Sequence, residues 1–452
     1  MASFVNVPAA DILAARDAIC NGEVVPAPTP TITPTPTPAP ELLPAPTVEG
    51  YTLIDVGDFA EGLNNAGQTI ALSFDPATGS YQVALMQSDG SKTSLGTLGG
   101  YYVNPVMINE NGDVIGISDT ANYSSTGEQH AFLWRSGVGM TDLGTLGGLY
   151  SYPNWISGSG DVVGSASTAS GEQHAVLWQS GAGIIDLGTL GGPYSDASRI
   201  NSRGEVIGTS DTASGEQHAF LWRTGVGMTD LGTLGGTYSY AEILTDQGDV
   251  IGVSETAAGE SHAFLWQSGA GMTDLGTLGG PESRVTGVGP SGEIIGVSLT
   301  GTGESHAFLW QSGVGMIDLG TLGGTWSDPF SINSSGEIFG VSETASGEVH
   351  AFIWRSGAGM TDLGALGRSS VSLSGDNSAG KIVGSLTPNG FDGTNHAVLW
   401  DGAQLIDLNS LLAPDSGWVL NEANQINDNG VILGRAIVNG YHSRAYLLVP
   451  AP

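Results

Sequence analysis

The stretch Ser198–Gly236, SRINSRGEVIGTSDTASGEQHAFLWRTGVGMTDLGTLGG, holds one complete copy of a pattern that fills most of this 452-residue chain. It reads as four short strands. The first ends near Ile200 and runs into a turn of the form N-x-x-G, Asn201 to Gly204. The second is Glu205–Ser210. A polar loop, DTASGEQ, leads to the third, His218–Arg223, and a Gly-rich turn leads to the fourth, Met228–Leu234. Short apolar and β-branched runs bounded by Gly, Asn and Ser are hairpin signals. No segment of the pattern has a sustained helical period.

Outward from this copy, the phrase H-A-[FV]-[LI]-W opens at His130, His174, His218, His262, His306, His350 and His396. The first six are 44 residues apart and the last step is 46. The N-x-x-G turn recurs at Asn64–Gly67, Asn109–Gly112, Asn333–Gly336, Asn377–Gly380 and Asn427–Gly430. Counting the third strand gives nine units. The first is degenerate, with Gln82 in the His slot, and so is the last, with Arg444 there. A four-stranded unit near 44 residues suits a β-propeller blade. The ninth unit stops after its third strand at Tyr446–Val449, and the first folded segment, YTLIDVG (Tyr51–Gly57), resembles an orphan fourth strand. Joining the two completes the last blade and removes open edges. The expectation is an all-β fold, a closed β-propeller of nine four-stranded blades, with eight or ten blades as the alternatives.

The phrases H-A-F-L-W, D-L-G-T-L-G-G and I-N-x-x-G-x-[VI]-[IV]-G, recurring in that order over about residues 51–449, resemble the bacterial HAF-repeat family. The resemblance implies a propeller-like repeat and an extracellular or surface setting. It implies no established enzyme activity.

Composition narrows the partners. Twelve Lys and Arg face 45 Asp and Glu, a formal net charge of −33, and Lys92 and Lys381 are the only lysines. Nucleic acids and anionic membranes are held by Lys/Arg clusters, which this chain lacks. Cys20 is the single cysteine, so no intrachain disulfide forms. No run of 18 apolar residues predicts membrane insertion. The start, MASFVNVPAADILAARDAIC, has neither a basic n-region nor an unbroken apolar h-region and does not read as a signal peptide.

Three segments follow. Residues 1–25 read as a short helical peptide with Ile12, Leu13 and Ile19 on one side. It is either a docking peptide ordered by a larger assembly or a frayed tail. Residues 26–47 form a Pro/Thr-rich linker; in polyproline II conformation it spans on the order of 60 Å. Residues 48–452 are the repeats.

Residues that recur in every unit belong first to the scaffold. The seven histidines are expected to play a structural role; those from His130 to His306 are expected to pair with a threonine across the hairpin, as His130 with Thr145 and His218 with Thr233, while Ala365 stands in that slot opposite His350. The recurrent aspartates Asp142, Asp186, Asp230, Asp274, Asp318 and Asp362 are expected about three positions away. The tryptophans from Trp134 to Trp400 read as packing between blades. The Gly-rich D-L-G-T-L-G-G segment has no following Lys or helix and is not a phosphate loop. Glu128, Glu172, Glu216, Glu260, Glu304 and Glu348 lie in loops without an Asp-rich calcium pattern, so no metal and no cofactor is expected.

The variable position follows each Gly-Gly. It holds Tyr102, Tyr150, Tyr194, Tyr238 and Trp326, with Tyr152 and Tyr240 two residues further on, Asp196 and Asp328 nearby, and Glu282 breaking the series. Aromatics on one rim suit stacking against sugar rings or a protein loop; the plainer alternative is local packing of each side chain. The reading is a non-enzymatic surface-displayed module, anchored through its N-terminus to a virus particle or cell envelope, with a candidate glycan ligand. The alternatives are a glycan-active lyase or hydrolase, using Glu282, Arg284, Asp392 or Glu422, and a purely structural cement protein.

Overall fold

The computed structural model describes residues 48–451 apart from 76–79, 368–369, 388–393 and 403. The expected docking peptide with Ile12, Leu13 and Ile19, the Pro/Thr linker and Asp392 lie outside the described residues. The described residues belong to one unit, Leu43–Pro452.

In the H-A-F-L-W strands nearly every residue from Ala to Trp is buried, as in Gln217–Arg223, where Ala219, Phe220, Leu221 and Trp222 are 0–9 % exposed; Leu265 and Trp310 are half-buried. A strand with one wet face alternates; one packed on both faces reads as a continuous apolar run. Both faces are covered because each sheet stands between two neighbours. Trp178 packs with Ile115, Ala131 and Leu133 of the preceding unit, and Trp222 with Val163, Ala175 and Leu177. The tryptophans are thus the packing between blades that the sequence predicts.

Among the described residues, nine four-stranded antiparallel meanders follow one another, and the fold is a β-propeller. In unit four the strands are Gly191–Ile200, Val206–Thr212, Gln217–Arg223 and Gly227–Asp230, from the inside of the ring outward. The outermost strand is shorter than the expected Met228–Leu234. Its Leu-Gly-Thr-Leu segment leaves the sheet and crosses to the next unit, where Leu234 bridges Thr256. The orphan strand behaves as expected: Tyr51–Gly57 pairs antiparallel with His442–Pro450 and completes the ninth unit.

Two sets of hydrogen bonds tie units together. On one face the turn asparagines reach across: Asn64 Nδ2 donates to Asn109 O (3.1 Å), Asn109 to Ser157 O, Asn201 to Thr245 O, Asn377 to Asn427 O, and Asn427 to Asn64 O (2.8 Å). The last of these joins unit nine to unit one. Towards the other face, a buried inner-strand serine accepts the N–H of the alanine in the preceding unit's third strand. Ser195 does so from Ala175 (2.7 Å) and Ser239 from Ala219 (2.9 Å).

The glycine of the second strand has a steric cause. A Cβ on Gly208 would lie 2.0 Å from Asp196 O and 2.8 Å from Phe220 Cε1. Only Gly lets the bulged inner strand and the buried Phe close on it.

At the seam, the two chain segments are held by charge as well as by the ladder. Arg444 stands in the histidine slot, donating from Nη2 to Asp55 Oδ1 (2.8 Å) and from Nη1 to Asp58 Oδ1 (2.9 Å), with its side chain 16 % exposed. Hydrogen bonds to charged groups are each worth about 1.5–3 kcal/mol. Replacing Arg444 with Met is expected to lower unfolding stability in urea by about 2 kcal/mol. The same change at Arg203, 47 % exposed in its pair with Glu205, is expected to shift it by no more than about 1 kcal/mol.

Candidate functional site

The repeated histidines come first because they carry the most chemistry. The expected threonine pairing is not what forms. His130 Nδ1 lies 2.9 Å from both carboxylate oxygens of Asp142. The same contact recurs at His174–Asp186, His218–Asp230, His262–Asp274, His306–Asp318 and His350–Asp362, and at His396–Asp407 (2.6 Å). The cause is register. Phe132 pairs with Asp142 and the Leu143 N–H bonds Ala131 O in the same register, so Asp142 is the diagonal cross-strand neighbour of His130 and the ladder ends before Thr145. Thr145 is carried into the crossing, where its hydroxyl donates to Gly148 O (2.9 Å). The second acceptor of each aspartate is used locally: Asp142 Oδ1 takes the Gly144 N–H at 2.7 Å.

A carboxylate on Nδ1 orients an imidazole for general-base work only if Nε2 meets a nucleophile. Here Nε2 of His130 faces Glu128 (3.2 Å) and that of His262 faces Glu260 (3.6 Å), a second acidic group in each case. Among the described residues no group of three His, Cys, Asp or Glu is placed to hold a metal ion. The arrangement locks a hairpin.

The rim after each Gly-Gly is different. Tyr102, Tyr150, Tyr194, Tyr238, Glu282 and Trp326 occupy one register near the start of six inner strands. Five of them bridge in parallel to the preceding unit's third strand, Tyr150 to Gln129, Tyr194 to Gln173, Tyr238 to Gln217, Glu282 to Ser261 and Trp326 to Ser305. Their backbones are pinned. Buried serines of the second strands donate to their carbonyls: Ser118 to Tyr102 O, Ser210 to Tyr194 O, Ser254 to Tyr238 O, Ser298 to Glu282 O and Ser342 to Trp326 O, all at 3.1–3.3 Å. Tyr102, Tyr150 and Tyr240 are exposed, whereas Tyr152, Tyr194, Tyr238 and Trp326 are half-buried. Neighbours pair within a strand: the Tyr150 and Tyr152 rings stack at 6.4 Å and the Tyr238 and Tyr240 rings tilt at 5.5 Å.

Two residues inward, the series Asn104, Tyr152, Asp196, Tyr240, Arg284, Asp328, Ser372 and Glu422 faces the second strands at one register. Here units touch through polar groups. Asn154 Nδ2 donates to Asp196 Oδ2 (2.8 Å), and Arg284 Nη2 to Asp328 Oδ2 (2.8 Å). Burial raises the Asp196 carboxyl above the usual range against the pull of its hydrogen bonds to Ser165 and Asn154. Burial also raises Glu242, opposed by the charge of Arg284. Asn154 and Glu242 were not among the expected site residues; their signal is variation at one position of a near-constant repeat. In the middle of the ring, inner-strand residues including Glu61, Val106, Phe330, Asp376 and Asn424 line an opening of about 640 Å³. Of the residues considered for hydrolysis, Glu282 and Arg284 stand in unit six and Glu422 in unit nine, so they do not form one centre.

No family model matches the chain, and no curated protein does. Among solved structures it is similar to TolB from Acinetobacter baumannii (15 % identity, TM-score 0.32, 56 % of this chain and 64 % of that one). It is also similar to the β-propeller domain of the Trilobed protease from Pyrococcus furiosus (9 % identity, TM-score 0.37, 70 % and 96 %) and to puromycin hydrolase (12 % identity, TM-score 0.42, 84 % and 58 %). The match spans less than two thirds of TolB and of puromycin hydrolase.

The His130–Asp142 pair makes a pH signature. Its hydrogen bond raises the His130 pKa; burial opposes this, and the charges of Asp142 and Glu128 add to the rise. A folded pKa above the unfolded value of about 6.5 stabilises the fold fully below that value, and the contribution is lost as pH rises through the folded pKa. The His130 imidazole is expected to titrate above 6.5 by NMR, and Asp142→Asn is expected to lower that midpoint and flatten the stability loss between neutral and mildly alkaline pH.

Proposed function

We propose that this chain is a non-enzymatic binding and display module whose propeller contacts glycans through the face carrying the inner-strand rim. The observation that carries the reading is the contrast between constant and variable positions. The histidines, tryptophans and serines that recur are consumed in locking hairpins and units together. The residues that vary are aromatic or polar, exposed or half-buried, and sit at one register on pinned backbones. Tyrosine and tryptophan offer sugars an apolar face and a hydrogen-bonding edge at little cost in side-chain entropy. A dyad repeated seven times, with a glutamate within 4.0 Å of Nε2 in four of the copies, suits a scaffold better than a single catalytic centre.

The wider setting belongs to the same proposal. The resemblance to HAF-type repeats favours an extracellular or surface setting. The amphipathic pattern of residues 1–25 and the Pro/Thr composition of 26–47 favour an N-terminal peptide gripping a larger protein assembly. The charge of −33 disfavours nucleic acid as a ligand.

A glycan array probed with the full chain and with a Tyr150/Tyr194/Tyr238→Ala triple variant tests this. Binding by the parent, weakened at least about tenfold in the variant with an unchanged unfolding midpoint, is the expected result; one aromatic stack is worth about 0.5–1.5 kcal/mol. Equal binding by both proteins removes the rim from consideration.

A further inference from the structure

The ring has one sector where the repeat is broken in three neighbouring places at once. At the start of the third strand, Gln129, Gln173 and Gln217 in units two to four give way to Ser261 and Ser305 in units five and six. At the rim, tyrosine gives way to Glu282. At the end of the second strand, the position of Asp119, Asp211 and Glu255 is Leu299. In units two and three the glutamine folds across the sheet; Gln173 Nε2 donates to Ser165 Oγ at 2.7 Å and Gln129 Nε2 to Asp119 Oδ1 at 2.8 Å. Serine is too short to do so. The result is a recess of about 360 Å³ between units five and six, lined by Tyr238, Glu282, Arg284, Leu299, Ser261 and Ser305, with Val253 and Val297 behind.

From this we infer that the recess is a binding site for one neutral hexopyranose residue, an inference that rests on the glycan reading above. The volume lies at the small end of ligand pockets, about 300–1,000 Å³, and so suits a single ring. A hexose has an apolar C–H face and a belt of hydroxyls that both donate and accept. The recess supplies both counterparts. Val253, Val297 and Leu299 form an apolar wall beside the Tyr238 ring. Glu282 offers two acceptor oxygens, the serines offer hydroxyls, and Arg284 offers a guanidinium. Arg284 is 54 % exposed and gives one of its five N–H groups to Asp328, which fixes its position and leaves donors for a ligand. An acidic sugar is disfavoured because Glu282 lines the recess and Asp328 already neutralises Arg284, in a chain of net charge −33. The recess lies beside the aromatic rim, so a glycan chain lying on the rim would seat one residue in it.

The repeat itself supplies the test. Ser261→Gln with Glu282→Tyr restores residues that units two to four carry at the same positions, so the variant is expected to fold while filling the recess. Saturation-transfer NMR and titration on the full chain use methyl β-D-glucopyranoside and methyl β-D-galactopyranoside as neutral probes and N-acetylneuraminic acid as the acidic one. The expected result is binding of a neutral hexoside, at least tenfold weaker in S261Q/E282Y with an unchanged unfolding midpoint, and no transfer to the acidic sugar. Undiminished hexoside binding in S261Q/E282Y that is lost in Tyr102/Tyr150→Ala would overturn the recess and leave the rim as the glycan site. Recess-dependent binding of the acidic sugar alone overturns the ligand class. Failure of every saccharide, on the array as well as in solution, overturns both readings.

Discussion

One ladder holds the molecule shut. Tyr51–Gly57 and His442–Pro450 come from opposite ends of the folded chain, and their antiparallel pairing is what gives the first and last units a neighbour on each side. Every other unit is built on the assumption of two neighbours: its third strand is apolar on both faces, and its asparagine and serine bond across the gaps. Without the seam, Val56, Ala71, Met86 and Leu447, all buried between units one and nine, would face water. The seam is correspondingly reinforced. Arg444 with Asp55 takes the place of histidine with aspartate, and Lys92 Nζ donates to Val56 O at 2.9 Å. A cationic side chain that spans two segments does across the chain break what imidazole does within a hairpin.

A scaffold of this kind divides its positions cleanly. Side chains that point between units are constrained by packing against both neighbours, and core substitutions there cost stability whatever the ligand. The inner-strand rim is anchored through its main chain instead, by the second-strand serines. Its side chains can then differ from unit to unit without disturbing the ring. Tyrosine, tryptophan and glutamate occupy one register, and tyrosine, aspartate, arginine and asparagine the next. The recess between units five and six is the place where that freedom extends into the third strand as well.

Much of this was legible in the residues. The 44-residue spacing of H-A-F-L-W, the four strand signals within it and the orphan Y-T-L-I-D-V-G strand point to a closed propeller, because periodicity and hairpin punctuation are local properties. The histidine partner was not legible. A one-residue difference in hairpin register decides between Asp and Thr, and nothing in D-L-G-T-L-G-G marks where the ladder ends and the crossing begins. Tyr152 and Tyr240 could be placed on the rim from spacing, whereas the approach of Asn154 to Asp196 depends on how two inner strands converge, which no single unit encodes. Glu282 stands out as an irregularity, but the cavity beside it arises from departures spread over four strands, at Ser261, Glu282, Leu299 and Ser305, and a side chain too short to fill a gap leaves no motif.

The contrast between units two to seven, which are nearly copies of one another, and the unlike units at the seam has a consequence for how the chain finds its fold. A strand from any middle unit meets almost the same partner surface in every other, so local assembly carries little information about which neighbour is correct. Near-identical modules are the circumstance in which units pair out of order or exchange between molecules. The information that identifies the true neighbours lies at the seam, where Arg444 with Asp55 and Asp58 replaces the histidine–aspartate pair of the regular units. The seam therefore acts as a counting device: the ring is complete only when the intervening modules have spanned the distance between the two segments that carry this pairing.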